Sequence, residues 1–420
     1  MLNRSRSVKV DSEGQNVPST KINGKQVNLN FLYIFCLITK SPGNFLLPLN
    51  INFILSVCII QIIILLNMSV ISKLGRKNVV QLLISLMEIE STTGNENLLC
   101  NELKLFMEEN NWAVTEQGMK NNEFRKNLLI VRKGVNIEDI KVLFNSHLDT
   151  VPPYIPPRIE NDIIYGRGAN DAKGQVSAMI VAGERLVEEN EKLGEQIGFL
   201  FVVGEETDHI GMITANDLNL KPDYMIIGEP TENVFGSFQK GAAKLEIHCT
   251  GVPAHSGYPE RGVSAIEKLL DILNDVRKYD WPKDEVYGNT TLNIGFIKGG
   301  QALNALAGEA SAQLMFRITT SVKDVIDKLI LIVGERAEVR VFGSNEPVKL
   351  SLPPPEYKSQ SVSFNTDFPY FENRDILKGT FLYGGGSITN AHSENEHIKI
   401  TELEETVKTY VALAKHFLNA

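Results

Sequence analysis

"FLFVVGEETDHIGM", residues 199–212, decides how this chain is read. Its first five residues, Phe199 to Val203, have the length and apolar character of a buried strand, which Gly204 then interrupts. Two glutamates follow side by side, Glu205 and Glu206. Adjacent carboxylates raise each other's pKa unless a positive charge lies between them or each has a separate role. A strand ending in acid recurs elsewhere: "VLFNSHLDTVPP" (142–153) ends in His147 and Asp149, and "IIGEPT" (226–231) ends in Glu229. In open α/β sheets, ligands gather beyond the carboxyl ends of strands.

Working outward, apolar residues recur at helical spacing from Asn78, from Glu96 to Glu109, from Gly174 to Glu189 and from Thr401 to Leu418, with strand-like runs at 127–134, 141–149, 197–203 and 223–229 between them. This alternation predicts an α/β fold whose sheet is mostly parallel and flanked by helices. From Lys244 to Gly343 the order changes to βαββαβ, the split-βαβ pattern of a ferredoxin-like module. The division expected is 68–242 with 347–420 for a catalytic domain and 243–346 for an inserted lid, the proline-rich "GSNEPVKLSLPPPEY" (343–357) returning the chain to the first domain.

Residues 1–67 form an apolar leader containing "FLYIFCLI" (31–38) and "FILSVCIIQIIILL" (53–66). Pro48, Asn50, Asn52 and Gln61 weaken a span that would need about 20 mainly apolar residues. Two readings stand: a signal anchor through 45–66, giving a membrane-anchored or secretory protein, or a non-native extension ahead of a start at Met68, giving a cytoplasmic one. The four cysteines, Cys36, Cys58, Cys100 and Cys249, show no paired spacing, so neither a disulfide framework nor a thiolate metal site is indicated. With 420 residues, 43% hydrophobic, the chain can bury a full core, and a net charge of −9 argues against a nucleic-acid partner.

His147 and Asp149 lie two apart on a strand, so the pleat turns both to one side, as suits a ligand and its orienting carboxylate; by themselves they read equally as an ordinary strand-end histidine and a turn-forming aspartate. Asp171, in the glycine-bounded "IIYGRGANDAKGQ" (163–175), reads by itself equally as a helix cap. The glycine spacing there is neither a dinucleotide fingerprint nor a Walker loop. "GGGSITNAHSENEH" (384–397) offers His392 and His397 after three glycines that would let a ligand approach the backbone. Imidazole and carboxylate without thiolate suit Zn2+ or a neighbouring divalent ion.

Together, "SHLDTVP", "GRGANDAKG", "GEET", "IIGEPT", "GVPAHSGYPERGVSAI" and "NAHSENE" resemble the M20 family of zinc-dependent amidohydrolases, in the family's order from about Met68 onward, and by motif most resemble the acetylornithine deacetylase and succinyl-diaminopimelate desuccinylase group. The resemblance implies two Zn2+, for which Co2+ could substitute: His147 and Glu229 on one ion, Glu206 and His392 on the other, Asp171 bridging. It implies that Asp149 orients His147 and that Glu205 is the general base acting on a metal-bridged water. His255 would be an oxyanion donor reaching the partner subunit's site, making the enzyme a homodimer. Arg317, Asn304 and Gly385 would contact substrate. The reaction implied is hydrolysis of an N-acyl amino acid, with an acetylornithine-like substrate and hence arginine biosynthesis favoured, and a dipeptidase, carboxypeptidase or desuccinylase as alternatives. An inactive dimeric binding protein is the alternative of another class. Departures from the family's pattern, in "NALAG" after Asn304, in "TDHIGM" and in "GGGSITNAH", touch substrate recognition more than metal binding.

Overall fold

A computed structural model describes residues 78–120 and 122–419, with the short strand segments 9–10, 16–17, 20–22 and 25–27. The expected leader span at 45–66, with Cys36 and Cys58, lies outside the described residues.

Four strand neighbours explain where the site is. The larger sheet has nine strands: β1 (Trp112–Met119), β2 (Asn122–Arg132), β3 (Val142–His147), β4 (Ile197–Val202), β5 (Tyr224–Ile227) and β6 (Phe235–Gln239), then, after the inserted module, β11 (Val348–Lys349), β12 (Ser359–Val362) and β13 (Gly379–Leu382). Their order is β11-β6-β13-β5-β3-β4-β2-β1, with β12 on β6. The central run β13-β5-β3-β4 is parallel, and β2 and β6 pair antiparallel at its flanks. Every residue of β3 and β4 is buried, as a strand covered on both faces demands.

Alternation divides these strands between two cores. Phe144, Phe199 and Phe201 face helices α1 (Val79–Met87), α2 (Asn97–Glu109), α3 (Lys173–Glu189) and α6 (Ile400–Leu418). Leu143, Leu200 and Val202 face the short helix Ile210–Ala215 and the segment around Phe368 and Phe371. Helix α1 starts at Asn78, whose side-chain oxygen accepts from the Gln81 N–H at 3.1 Å, satisfying one of the unpaired donors of the first turn. Helix α3 is nearly all buried because it lies between the sheet and α6. Among the described residues no helix is long and apolar enough to cross a membrane.

The inserted module has the expected βαββαβ order: β7 (Gly241–Thr250), α4 (Ala265–Lys278), β8 (Thr291–Gly299), β9 (Glu309–Ile318), α5 (Val322–Val333) and β10 (Glu338–Asn345). All pairings are antiparallel in the order β8-β9-β7-β10. Leu245, Ile247, Leu314 and Phe316 point to the helices, and the alternate residues Lys244, Met315 and Arg317 point to the opposite face. That face contributes to the cavity over the strand ends of the larger sheet.

Phe199 is fully buried, with ring centroids 5.2 Å from Trp112, 5.6 Å from Phe144 and 5.7 Å from Phe201. Phe199→Ala is expected to cost about 3–5 kcal/mol by cavity formation, read as a lower midpoint in urea unfolding with an unchanged slope.

Candidate active site

Because β5, β3 and β4 are parallel neighbours, the segments that follow them emerge along one edge. His147, the last residue of β3, lies opposite Val202 of β4. Its Nδ1 is 2.9 Å from the Asp149 carbonyl and 3.6 Å from the Asp149 carboxylate. The main chain of Asp149, rather than its side chain, is therefore the nearer partner of the imidazole. The carboxylate is engaged elsewhere. It accepts from the N–H groups of Gly204 (2.9 Å), Glu205 (3.2 Å) and Glu206 (3.4 Å), and from the Thr93 hydroxyl (2.8 Å). It thereby fixes the turn that carries the glutamate pair. Gly204 sits there at φ +80°, and a Cβ would come within 2.9 Å of Ile210 and 3.0 Å of the Arg125 guanidinium.

Asp171 does not cap a helix. No side-chain cap bond is made at the start of α3, and the carboxylate lies 3.0 Å from His147 Nε2 and 3.2 Å from His392 Nε2. His147 Nε2 is also 3.8 Å from Glu229, and His392 Nε2 is 3.0 Å from Glu206. The five side chains form two groups, His147/Asp171/Glu229 and Asp171/Glu206/His392, which share Asp171 and whose donor atoms lie within 4.8 Å of one another in each group. Glu205 faces the same cavity beside them.

Electrostatically the cluster is strained. Burial pushes Glu205 well above the ordinary carboxylate range, with Glu229, Asp367 and Glu206 adding to it and His147 opposing it. Burial likewise raises Glu229, and raises Glu206 with help from the Asp171 charge. His392 is pushed up to about 10 by hydrogen bonds with Asp171 and Glu206. Burial would raise Asp171 too, but its hydrogen bonds with His147 and His392 win and hold it low. Buried carboxylates in this density need cationic partners. One atom makes the point locally: Glu206 Oε1 is buried with no hydrogen-bond partner. An oxygen that receives no proton, beside imidazole and carboxylate donors, fits a divalent cation.

Other expected site residues lie elsewhere. His255 is exposed on the loop after β7, its Nδ1 accepting from the Gly257 N–H at 3.1 Å, and Asn304 is exposed next to it, its carbonyl accepting from the Ser256 N–H at 2.9 Å. Neither lines the cavity. Gly385 does not line the cavity; a Cβ there would lie 2.7 Å from Thr406 Oγ1, and at Gly384 2.2 Å from Gln175 Oε1, so these glycines serve close packing. His397 turns away, with Nδ1 on the Asn395 carbonyl (2.7 Å) and its ring against Tyr165. Arg317 does line the cavity and donates to the Asn365 side-chain oxygen at 2.7 Å.

Three contributors escaped the sequence reading. His209 reaches the cavity, 2.9 Å from Asp367 and 3.8 Å from Glu205; its spacing of four from Glu205 was the available signal. Glu396 is fully buried, paired with Arg167 at 2.6 Å, and accepts from the N–H groups of Gly168 (2.9 Å) and Asp171 (3.3 Å), so it anchors the loop that presents Asp171. Lys244 lines the cavity and was hidden by its place in an ordinary alternating strand.

Residues 143–416 match Peptidase family M20/M25/M40. The chain is 37% identical over 343 residues to a Peptidase M20 domain-containing protein of Schizosaccharomyces pombe, covering 81% of this chain and 85% of that one. It is 33% identical over 372 residues to a protein of Emericella nidulans named probable carboxypeptidase, covering 78% and 87%. In fold it is similar to a tripeptidase from Staphylococcus aureus (TM-score 0.70, 21% identity, 82% of this chain and 99% of that one). It is also similar to a protein of Bacillus subtilis described as a dinuclear metal binding peptidase from M20 family (TM-score 0.60, 13% identity, 83% and 99%). The chain belongs to peptidase family M20/M25/M40 and is a hydrolase of amide bonds.

Proposed function

We propose that this enzyme uses two zinc ions to cleave the amide bond next to a free α-carboxylate, in a short peptide or an N-acyl amino acid, with dipeptidase or carboxypeptidase action favoured over acetylornithine deacetylation or desuccinylation. The observation that carries the proposal is the pair of ligand groups sharing Asp171, with Glu205 beside them and Arg317 in the same cavity. In this reading His147 and Glu229 would hold one ion and Glu206 and His392 the other, with Asp171 shared by the two groups. Donors of imidazole and carboxylate without thiolate favour zinc, and cobalt accepts the same set. When bound, a pair of divalent cations supplies Lewis acidity, which polarises a carbonyl and lowers the pKa of water from about 15.7 towards 7.

The chain's own residues do the rest. Glu205 takes the proton of the attacking water and returns it to the departing nitrogen as the C–N bond breaks. Asp149 keeps Glu205 in place through the backbone of its turn. Arg317 offers a planar guanidinium to the substrate carboxylate. Relatives named carboxypeptidase at about a third identity support the peptidase choice.

A second copy of the chain completes this reading. His255 and Asn304 are exposed together at one end of the inserted module, where Leu303 (104% exposed) and Phe296 and Ile297 on edge strand β8 (62% and 59%) leave apolar surface uncovered. Uncovered apolar edges of this kind favour association. A homodimer would let each copy lend His255 to the other's site.

Three outcomes test the proposal. Glu205→Gln lowers kcat on dipeptides by about 10²- to 10⁴-fold while metal content, read by elemental analysis, is kept; loss of metal as well would move Glu205 into the ligand set. Chelation abolishes hydrolysis, and zinc affinity measured by calorimetry rises with pH up to about 10, because the raised imidazole of His392 and the raised Glu206 and Glu229 carboxyls must lose protons to bind. Mixing inactive Glu205→Gln and His255→Ala chains restores up to about a quarter of wild-type activity if His255 acts across a dimer, and none if it acts within one chain.

A further inference from the structure

The cavity above the acidic cluster has two cations in its lining, Lys244 on β7 and Arg317 on β9. Lys244 lies opposite Met315 and Arg317 opposite Ala242, so the two are diagonal neighbours on one sheet face, a separation of roughly 7–8 Å at the backbone. Both side chains are long enough to converge on one ligand.

Among the described residues neither makes an ion pair within 4.0 Å, although the Glu205 charge acts on both across the cavity. Arg317 meets the neutral Asn365 side chain at 2.7 Å, and Lys244 gives its ammonium to the Thr207 carbonyl at 2.6 Å, immediately after the glutamate pair. Behind Arg317 stands a third cation, Lys240, bonded to the Asn289 carbonyl at 2.7 Å. Burial lowers the pKa of Lys244 and of Arg317, and the opposing Glu205 charge does not fully offset it. Partly buried cations that face a cavity and lack a close ion-pair partner favour negative charge in what binds there. A single α-carboxylate would satisfy Arg317 and leave Lys244 unmatched.

We propose that Lys244 is a specificity residue which, with Arg317, selects substrates whose departing amino acid carries two carboxylates, its α-carboxylate and an acidic side chain. This rests on the amide-hydrolase reading above. Arg317 takes the α-carboxylate and Lys244 the side-chain carboxylate of a departing aspartate or glutamate. The same cation repels the side-chain ammonium of ornithine, which sets N-acetylornithine among the poor substrates.

The test compares Ala-Glu, Ala-Leu and N-acetylornithine as substrates of the full zinc-loaded chain. The wild type is expected to prefer Ala-Glu in kcat/KM. Lys244→Met lowers the Ala-Glu to Ala-Leu ratio by about 10- to 100-fold, the scale of one charge-assisted hydrogen bond, and acts mainly through KM, while Lys244→Arg keeps the preference. An equal fall on both substrates would assign Lys244 to its contact with Thr207 and overturn the proposal, as would a wild type with no acidic preference. If the chain hydrolyses none of the three, the activity reading fails separately. Calorimetric binding of free glutamate against free leucine then decides: tighter glutamate binding that disappears in Lys244→Met sustains the inference, and equal binding overturns it.

Discussion

The carboxylate of Asp149 ties the ends of two neighbouring strands together, and the site depends on that tie. Fully buried, it gathers three successive backbone N–H groups from the turn after β4 while its own main chain steadies the imidazole at the end of β3. A carboxylate that accepts several backbone N–H bonds stays ionised even when buried. The direction of Glu205 and Glu206 is thus set by backbone geometry, upstream of anything the cavity contains. The turn leaves room for nothing larger than Gly204.

Around this tie the protein concentrates negative charge where water is scarce. Asp171, Glu205, Glu206 and Glu229 crowd one strand edge, and the raised pKa values of three of them measure how poorly the protein alone accommodates the charge. Such clusters are destabilising unless cations complete them. The Trp112–Phe199–Phe144 packing beneath the edge, with two faces of buried aromatic and aliphatic residues, supplies the stability that lets the strand ends carry this strain.

Much of this was legible in the residues. The buried strands β4 and β5 announce themselves as apolar runs and β3 by its apolar start, Val142 to Phe144, and their acidic endings mark the site because parallel neighbours end on the same edge. The βαββαβ module is readable because its helices have clear apolar stripes. Strands β1 and β6 were not legible: "WAVTEQGM" mixes polar and apolar residues because it is an edge strand, and "FGSFQ" is short and glycine-broken. The packing of the glycines at 384–386 was not legible for a related reason, since sequence shows that backbone comes close to something but not that Gln175, Thr406 and Asn170 are among its neighbours. His209, Lys244 and Glu396 escaped because each sits in a segment whose local pattern is complete without them; only the pairing of distant segments brings His209 to Asp367 and Glu396 to Arg167.

The anchoring of the Asp171 loop by Glu396 has a consequence for how the enzyme comes into being. Arg167 and the backbone of 168–171 are synthesised more than two hundred residues before the carboxylate that holds them. His392 arrives equally late, and α6 later still. While the chain is on the ribosome, the β3 and β4 segments can pair, but the loop that presents Asp171 lacks its Glu396 contacts until the segment around 396 has emerged. A chain cut ahead of His392 therefore lacks both that imidazole and the Glu396 hold on the Asp171 loop, so the two ligand groups that share Asp171 form only after this late segment has folded back.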